Sequence, residues 1–260
     1  MTHEARDRAK SELSRRLRSH AQPSGNASLR SNPLPTVTKP TTDARPRNPR
    51  AEQRIVRLAQ HDGGPAPIAP PFDDEYKLLF NAAVFTIFRS GFVPRCALET
   101  DNAADNRFDK ICQIIKECRY GVHDISRTES DGDPPLPRFN MPLELGLFLG
   151  AKKYGGLDHR PKSCIIFDRE RYRYQRYISD IAGQDIHAHG GERRTLITEL
   201  ATWLRAQSRD RNVPGGVAIA DEFETFIAAL PEIYRASRLN PGEVTFGDYN
   251  AIVVQYLTAN

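Results

Sequence analysis

Glu144 is the one carboxylate inside the apolar run 143–151, four residues after Asn140 and two after Pro142. Upstream, residues 120–125 read as a strand that leads to three polar residues, Asp124, Ser126 and Arg127. A loop rich in Pro, Asp and Gly joins the two stretches. An acid among leucines is partly desolvated, which is one way a reactive carboxyl group is made. A strand, a polar edge, a loop and a helix carrying an acid near its start form a ligand crevice in an open α/β sheet. The competing structural reading places Pro142 at the first helical position and Glu144 at the third. There the carboxylate only caps the helix and complements its dipole. The company of Asn140 and the strand-end trio favours a site.

Other residues have the right chemistry and weaker contexts. Asp168 follows the apolar run 163–167, so it also falls at a strand end that faces a crevice; a cap on the next loop serves it equally well. Arg89 and Arg95 flank the turn at Gly91 and suit a phosphate, although lone surface arginines usually do nothing specific. His187 and His189 alternate near Asp185, but no third spaced ligand accompanies them, so a metal site is rejected. Tyr172, Tyr174 and Tyr177 interleave with Arg171, Arg173 and Arg176. That pattern suits base stacking, and suits a packed amphipathic surface better. No phosphate-cradling glycine motif and no nucleophile elbow is present.

The elements that must position these residues follow from periodicity. Tyr76, Leu79, Phe80, Ala83, Val84, Ile87 and Phe88 recur at helical spacing, with Asp73 and Asp74 at the expected cap and Gly91 at the end. Residues 92–98 read as a short strand. Phe108, Ile111, Cys112, Ile115 and Cys118 mark a second helix beyond the polar loop 101–105. The run 163–167 reads as a buried parallel strand. Residues 169–191 read as helix or loop packing over the strand ends, and 195–206 as an amphipathic helix. Two more helices fall at 219–237 and 245–257. Helix and strand alternating in this way predict a parallel α/β sheet.

Charge divides the chain. Residues 1–60 hold 13 Lys and Arg against 5 Asp and Glu, whereas the rest is mildly acidic, with 24 against 28. The basic pI of about 8.9 therefore belongs to the tail, which argues against a nucleic-acid-binding core. Residues 21–51 contain almost no large apolar side chain and are expected to stay disordered. Cys96, Cys112, Cys118 and Cys164 show no paired spacing, as expected of buried thiols in a reducing cytoplasm. The N-terminus has no apolar signal core, and no run approaches the roughly 18 apolar residues of a membrane span. A cytoplasmic protein with no membrane partner is expected.

With these residues in view, the chain resembles a known superfamily. The strand end Asp124-Ile125-Ser126 and the run Phe139-Asn140-Met141-Pro142-Leu143-Glu144-Leu145-Gly146 are similar to its pattern D-[LIV]-[ST]…N-x-x-x-E-L-G. That superfamily joins nucleoside 2-deoxyribosyltransferases with bacterial TIR-like nucleotide-binding domains, and the likeness covers about residues 67–206. It implies a flavodoxin-like open parallel sheet in an α/β domain at 66–210. A disordered basic tail would occupy 1–65 and a helical C-terminal extension 211–260.

The resemblance also implies attack on an N-glycosidic bond, in NAD or a deoxynucleoside, with the nucleotide as substrate and no separate cofactor. Glu144 matches the family's catalytic glutamate, Asn140 its asparagine and Asp124 its strand-end aspartate. Ser126, Arg127, Phe139, Asp168 and Arg95 are the expected substrate contacts. A homo-oligomer that completes the site is expected, and so is a non-catalytic binding or assembly module as the alternative to an enzyme. Two departures stand out. The family's first strand would fall near 66–71, which is proline-rich, so that strand is expected to be missing or distorted. The TIR enzymes' tryptophan near the glutamate is absent, and Phe139 is the nearest aromatic.

Overall fold

The computed structural model describes residues 55–58, 74–99, 106–128, 130–131, 136–137, 139–208 and 213–259. The expected tail at 1–65 apart from 55–58, the proline-rich stretch at 66–71, Asp73 and the loop at 101–105 lie outside these residues. In chain order the elements are β1 (Ile55–Leu58), α1 (Asp74–Arg89), β2 (Val93–Arg95), α2 (Arg107–Glu117) and β3 (Tyr120–Asp124). A two-residue hairpin pair follows, β4 (Ser130–Asp131) and β5 (Leu136–Pro137), then α3 (Asn140–Tyr154) and β6 (Ser163–Asp168). The chain ends with β7 (Ile186–Ala188), α4 (Arg193–Gln207), α5 (Gly216–Ala236) and α6 (Phe246–Ala259).

Five strands form one sheet in the order β2-β1-β3-β6-β7, and every pairing is parallel. The fold is thus a mixed α/β architecture built on an open parallel sheet. The first strand is neither missing nor distorted. It is the four-residue segment Ile55–Leu58, and it lies inside the sheet between β2 and β3. The expected boundary at residue 66 therefore falls too late, because part of the presumed tail is a central strand. A second correction concerns 169–191, where the edge strand β7 pairs with β6 through Ile166↔Ile186, Phe167↔His187 and Asp168↔Ala188.

Helices cover both faces of the sheet. α1 packs against α4, and α2 against α3, which itself lies over β3. That approach depends on Gly121, where an added Cβ would stand 3.0 Å from the ring of Phe148. Lys162 is buried beneath α3, and its Nζ donates to the carbonyl oxygens of Ile115 and Cys118 at the end of α2. A cation there satisfies carbonyls that the helix leaves open and complements its dipole.

α5 and α6 are not an appendage. Phe223, Phe226, Tyr249 and Val253 belong to the same buried cluster as Leu79, Phe85 and Phe167. Phe85 of α1 stacks on Phe226 at 5.1 Å and meets Phe223 at 5.4 Å. Close contact between α4 and α5 requires Gly216, since a Cβ there would lie 2.6 Å from the Thr198 backbone. Truncating a fully buried phenylalanine removes its transfer free energy and leaves a cavity. Phe85→Ala is therefore expected to cost about 3–5 kcal/mol. Chemical denaturation checks this: one cooperative transition should shift as a whole, whereas a second, unshifted transition would mean that the C-terminal helices fold separately.

Candidate functional site

The order in which strands are added reverses at β1. From there β2 lies on one side, while β3, β6 and β7 follow on the other. In an open parallel sheet the ligand crevice lies at the carboxyl ends of the strands, at such a switch point. Tyr76 stands in the first turn of α1 on one wall of this crevice, and Asp124 ends β3 on the other.

Glu144 is 4% exposed, in the second turn of α3. The helix begins at Asn140, two residues before the start that the capping reading requires, with Leu143 N–H donating to the Phe139 carbonyl at 2.9 Å. Pro142 therefore occupies the third helical position. The missing N–H is harmless there because the first-turn amides have no partner inside the helix. No acid lies in the first turn, so the capping reading of Glu144 does not hold.

Tyr76 joins the two carboxylates. It is buried, and burial pushes its phenol well above the ordinary value of 10.0; the charges of Asp124 and then Glu144 push it further. Near neutral pH the phenol is thus un-ionised and keeps its proton to donate. The guanidinium of Arg127 lies 5.6 Å from the centre of the same ring. Sequence periodicity marks Tyr76 only as one of seven apolar helix positions, and nothing in the pattern separates it from core.

Asp124 is itself fixed by short-range geometry. Its Oδ1 accepts the Ser126 amide at 2.9 Å, an Asx-type turn that continues the strand end. The same oxygen lies 3.5 Å from Nε2 of His189, a buried residue. Gly191 N–H donates to His189 Nδ1 at 2.9 Å, so in the neutral ring Nε2 carries the proton and points it at Asp124. His189 is positioned by β7, the edge strand that escaped the sequence reading; His187 on the same strand pairs outward with Glu199 at 3.0 Å.

Asp168 does not face a ligand. It is 0% exposed, and both oxygens are engaged. Oδ1 accepts from Arg169 N–H at 2.7 Å and from Arg173 Nε at 2.8 Å, while Oδ2 accepts from the Tyr177 hydroxyl at 3.1 Å. Burial raises its carboxyl group, and Arg173 pulls the other way. Arg173 also donates to the Ile125 and Ser126 carbonyls at 3.0 and 2.9 Å, so this cluster clamps the end of β3. Arg95 also stays apart, with its guanidinium paired to Glu99 at 2.6 Å and Glu117 at 3.1 Å.

The crevice thus brings together Asp124, Ser126, Arg127 and Glu144, with Tyr76 and His189 added. Asn140 and Phe139 are exposed where α3 begins. A cavity of about 20 Å³ lies beside Asp124, walled by Tyr76, Phe80, Val122 and Phe167. A buried water needs about 10–15 Å³ measured in the same way, so one water fits. Among the described residues no group of three or more His, Cys, Asp or Glu side chains is arranged to hold a metal ion, and no helix is long and apolar enough to cross a membrane. Comparison with protein-family models, curated proteins and solved structures finds no match.

Two outcomes follow from this geometry. Asp168→Ala leaves the Arg173 guanidinium buried without its carboxylate, which costs about 3–5 kcal/mol in denaturant unfolding; a stable variant with a ligand-binding defect alone would return Asp168 to the site. Tyr76 has a folded value above its unfolded one. Its contribution to stability is complete below pH 10.0 and is lost as pH rises above that point. Tyr76→Phe should therefore flatten the alkaline fall in stability between about pH 10 and 12, read from unfolding midpoints across that range.

Proposed function

We propose that this chain is an N-glycosidase that cleaves the N-ribosyl bond of a nucleotide, with NAD as the first substrate to test. One observation carries the reading. Two buried carboxylates from different elements, Asp124 at the end of β3 and Glu144 in the second turn of α3, lie near one buried phenol, Tyr76, where the order of strand succession reverses. Counted along the chain, the parallel strands run 2-1-3-4-5, which agrees with the flavodoxin-like order that the resemblance implies. The N-x-x-x-E-L-G residues fall on the first two turns of one helix, and the D-I-S residues at a neighbouring strand end, which is consistent with the same family.

In this reading the bond from the anomeric carbon to the nicotinamide nitrogen breaks, and its electron pair leaves on neutral nicotinamide. The ribosyl centre becomes cation-like, and the Glu144 carboxylate stabilises it or bonds to it. Water then supplies a hydroxyl to the anomeric carbon and gives up a proton, yielding ADP-ribose. Asp124, oriented by Ser126 N–H and His189, would accept from a ribose hydroxyl. Tyr76, un-ionised, would donate to a carboxylate or a ribose oxygen. Asn140, Phe139 and Arg127 would meet the rest of the nucleotide, and a second copy of the chain would complete the pocket.

The size of the cavity favours a second reading. About 20 Å³ beside Asp124 admits a water and not a ribose, which suits a non-catalytic nucleotide-binding or assembly module.

Nicotinamide release from NAD by concentrated full-length protein separates these readings. Wild type should turn over. A folded Glu144→Gln variant should lose roughly 10²–10⁴-fold or more, since it removes the acid on which the reaction depends. Equal turnover by that variant sinks the assigned role of Glu144. Silence with NAD, but base exchange between deoxynucleosides, would make the chain a deoxyribosyltransferase. Silence with both puts the binding module first.

A further inference from the structure

Tyr76 and Phe80 also line a second cleft, of about 220 Å³, that the glycosidase reading does not use. Its walls are aromatic and come from three helices: Tyr76 and Phe80 of α1, Tyr234 of α5, and Phe246 and Tyr249 of α6. Phe80 and Phe246 meet at 6.0 Å with their planes tilted by 51°. The walls are held in place by polar contacts. The Tyr249 hydroxyl donates to the Asn81 carbonyl at 3.2 Å, which ties α6 to α1. Thr245 and Asp248 cap α6 reciprocally, with Thr245 N–H to Asp248 Oδ2 at 3.0 Å and Asp248 N–H to Thr245 Oγ1 at 3.1 Å.

Charge in the cleft has one sign. Lys77 lines it and no carboxylate does. Ring faces and edges on the walls suit a flat aromatic guest in offset or edge-on packing. An apolar cavity of roughly 150 Å³ takes up benzene, so this one has room for two fused rings. We propose that the cleft between α1, α5 and α6 is a binding site for a small planar aromatic acid, its bicyclic ring held by the aromatic walls and its anionic group by Lys77. The site stands whether or not Glu144 is catalytic. Its guest would contact the ring of Tyr76, the same ring that feels the Asp124 and Glu144 charges.

The test is calorimetric and ligand-observed NMR titration of the full chain with indole-3-carboxylate and with uncharged indole. Wild type should bind both saturably at one site, the acid more tightly. Lys77→Gln should weaken indole-3-carboxylate by about threefold to fivefold, the weight of one exposed ion pair, and leave indole unchanged. Val244 is a half-buried part of the wall, and Val244→Phe should fill the space and remove binding of both probes. Circular dichroism and thermal unfolding of Val244→Phe must match wild type for its loss of binding to count; should it unfold, Leu98→Trp on the exposed rim takes its place. No saturable binding up to millimolar probe, or binding that survives the filling variant, overturns the site. Equal effects of Lys77→Gln on both probes overturn the anionic half of the assignment.

Discussion

The guanidinium of Arg173 holds the candidate site together. One side chain binds the Asp168 carboxylate and the carbonyl oxygens of Ile125 and Ser126 at once. Those carbonyls leave the sheet just where β3 ends, and without a partner they would be buried acceptors at considerable cost. With one, the backbone after Asp124 has a fixed path, and the Asx turn from Ser126 sets the carboxylate itself. Asp168 thus acts through its neighbour strand rather than through a ligand. A planar five-donor fork suits this work, because it satisfies a carboxylate and two carbonyls without bending.

α1 carries the second constraint. Its first turn supplies Tyr76 to the crevice, and further along Phe85 buries against α5. The sheet, the crevice and the C-terminal helices therefore share one helix, so a shift in α1 would be felt in all three. Dense packing makes such a helix a rigid support rather than a soft link. Two pockets meeting on Tyr76 follow directly from that arrangement.

The alternation of helix and strand was legible because the apolar periods were long. Six helices and the strands near 93, 120 and 163 stand where spacing puts them. β1 was not legible, since four residues among charges give no period to read, and its partners lie far along the chain. β7 was hidden because it is only three residues long and centred on a histidine, which fits a strand edge as readily as a loop. The start of α3 near Asn140 was legible, but the place of Pro142 in its first turn was not, because proline is as acceptable at the third helical position as at the first, where an amide has no partner inside the helix. Asp124 and Glu144 were legible as acids in apolar company. Tyr76 was not, because a tyrosine on a helix stripe reads as core until the acids opposite it are known. Asp168 was misassigned because a strand-end aspartate has the same sequence signature whether it meets a ligand or an arginine.

Two acids and a phenol buried around one corner are poor choices for stability. Buried carboxylates lose hydration, and both oppose ionisation of the tyrosine. An apolar trio of similar volume would pack as well without those penalties. The compensations present are local: the Ser126 amide, the His189 ring and the positive charge of Arg127 over the Tyr76 ring. They offset part of the cost without removing its source. Elsewhere in the domain each buried charge has an evident structural duty, Lys162 at a helix end and Asp168 with Arg173. Asp124 and Glu144 instead stand together beside the buried phenol of Tyr76, and a place where local rules are strained is where chemistry is to be sought.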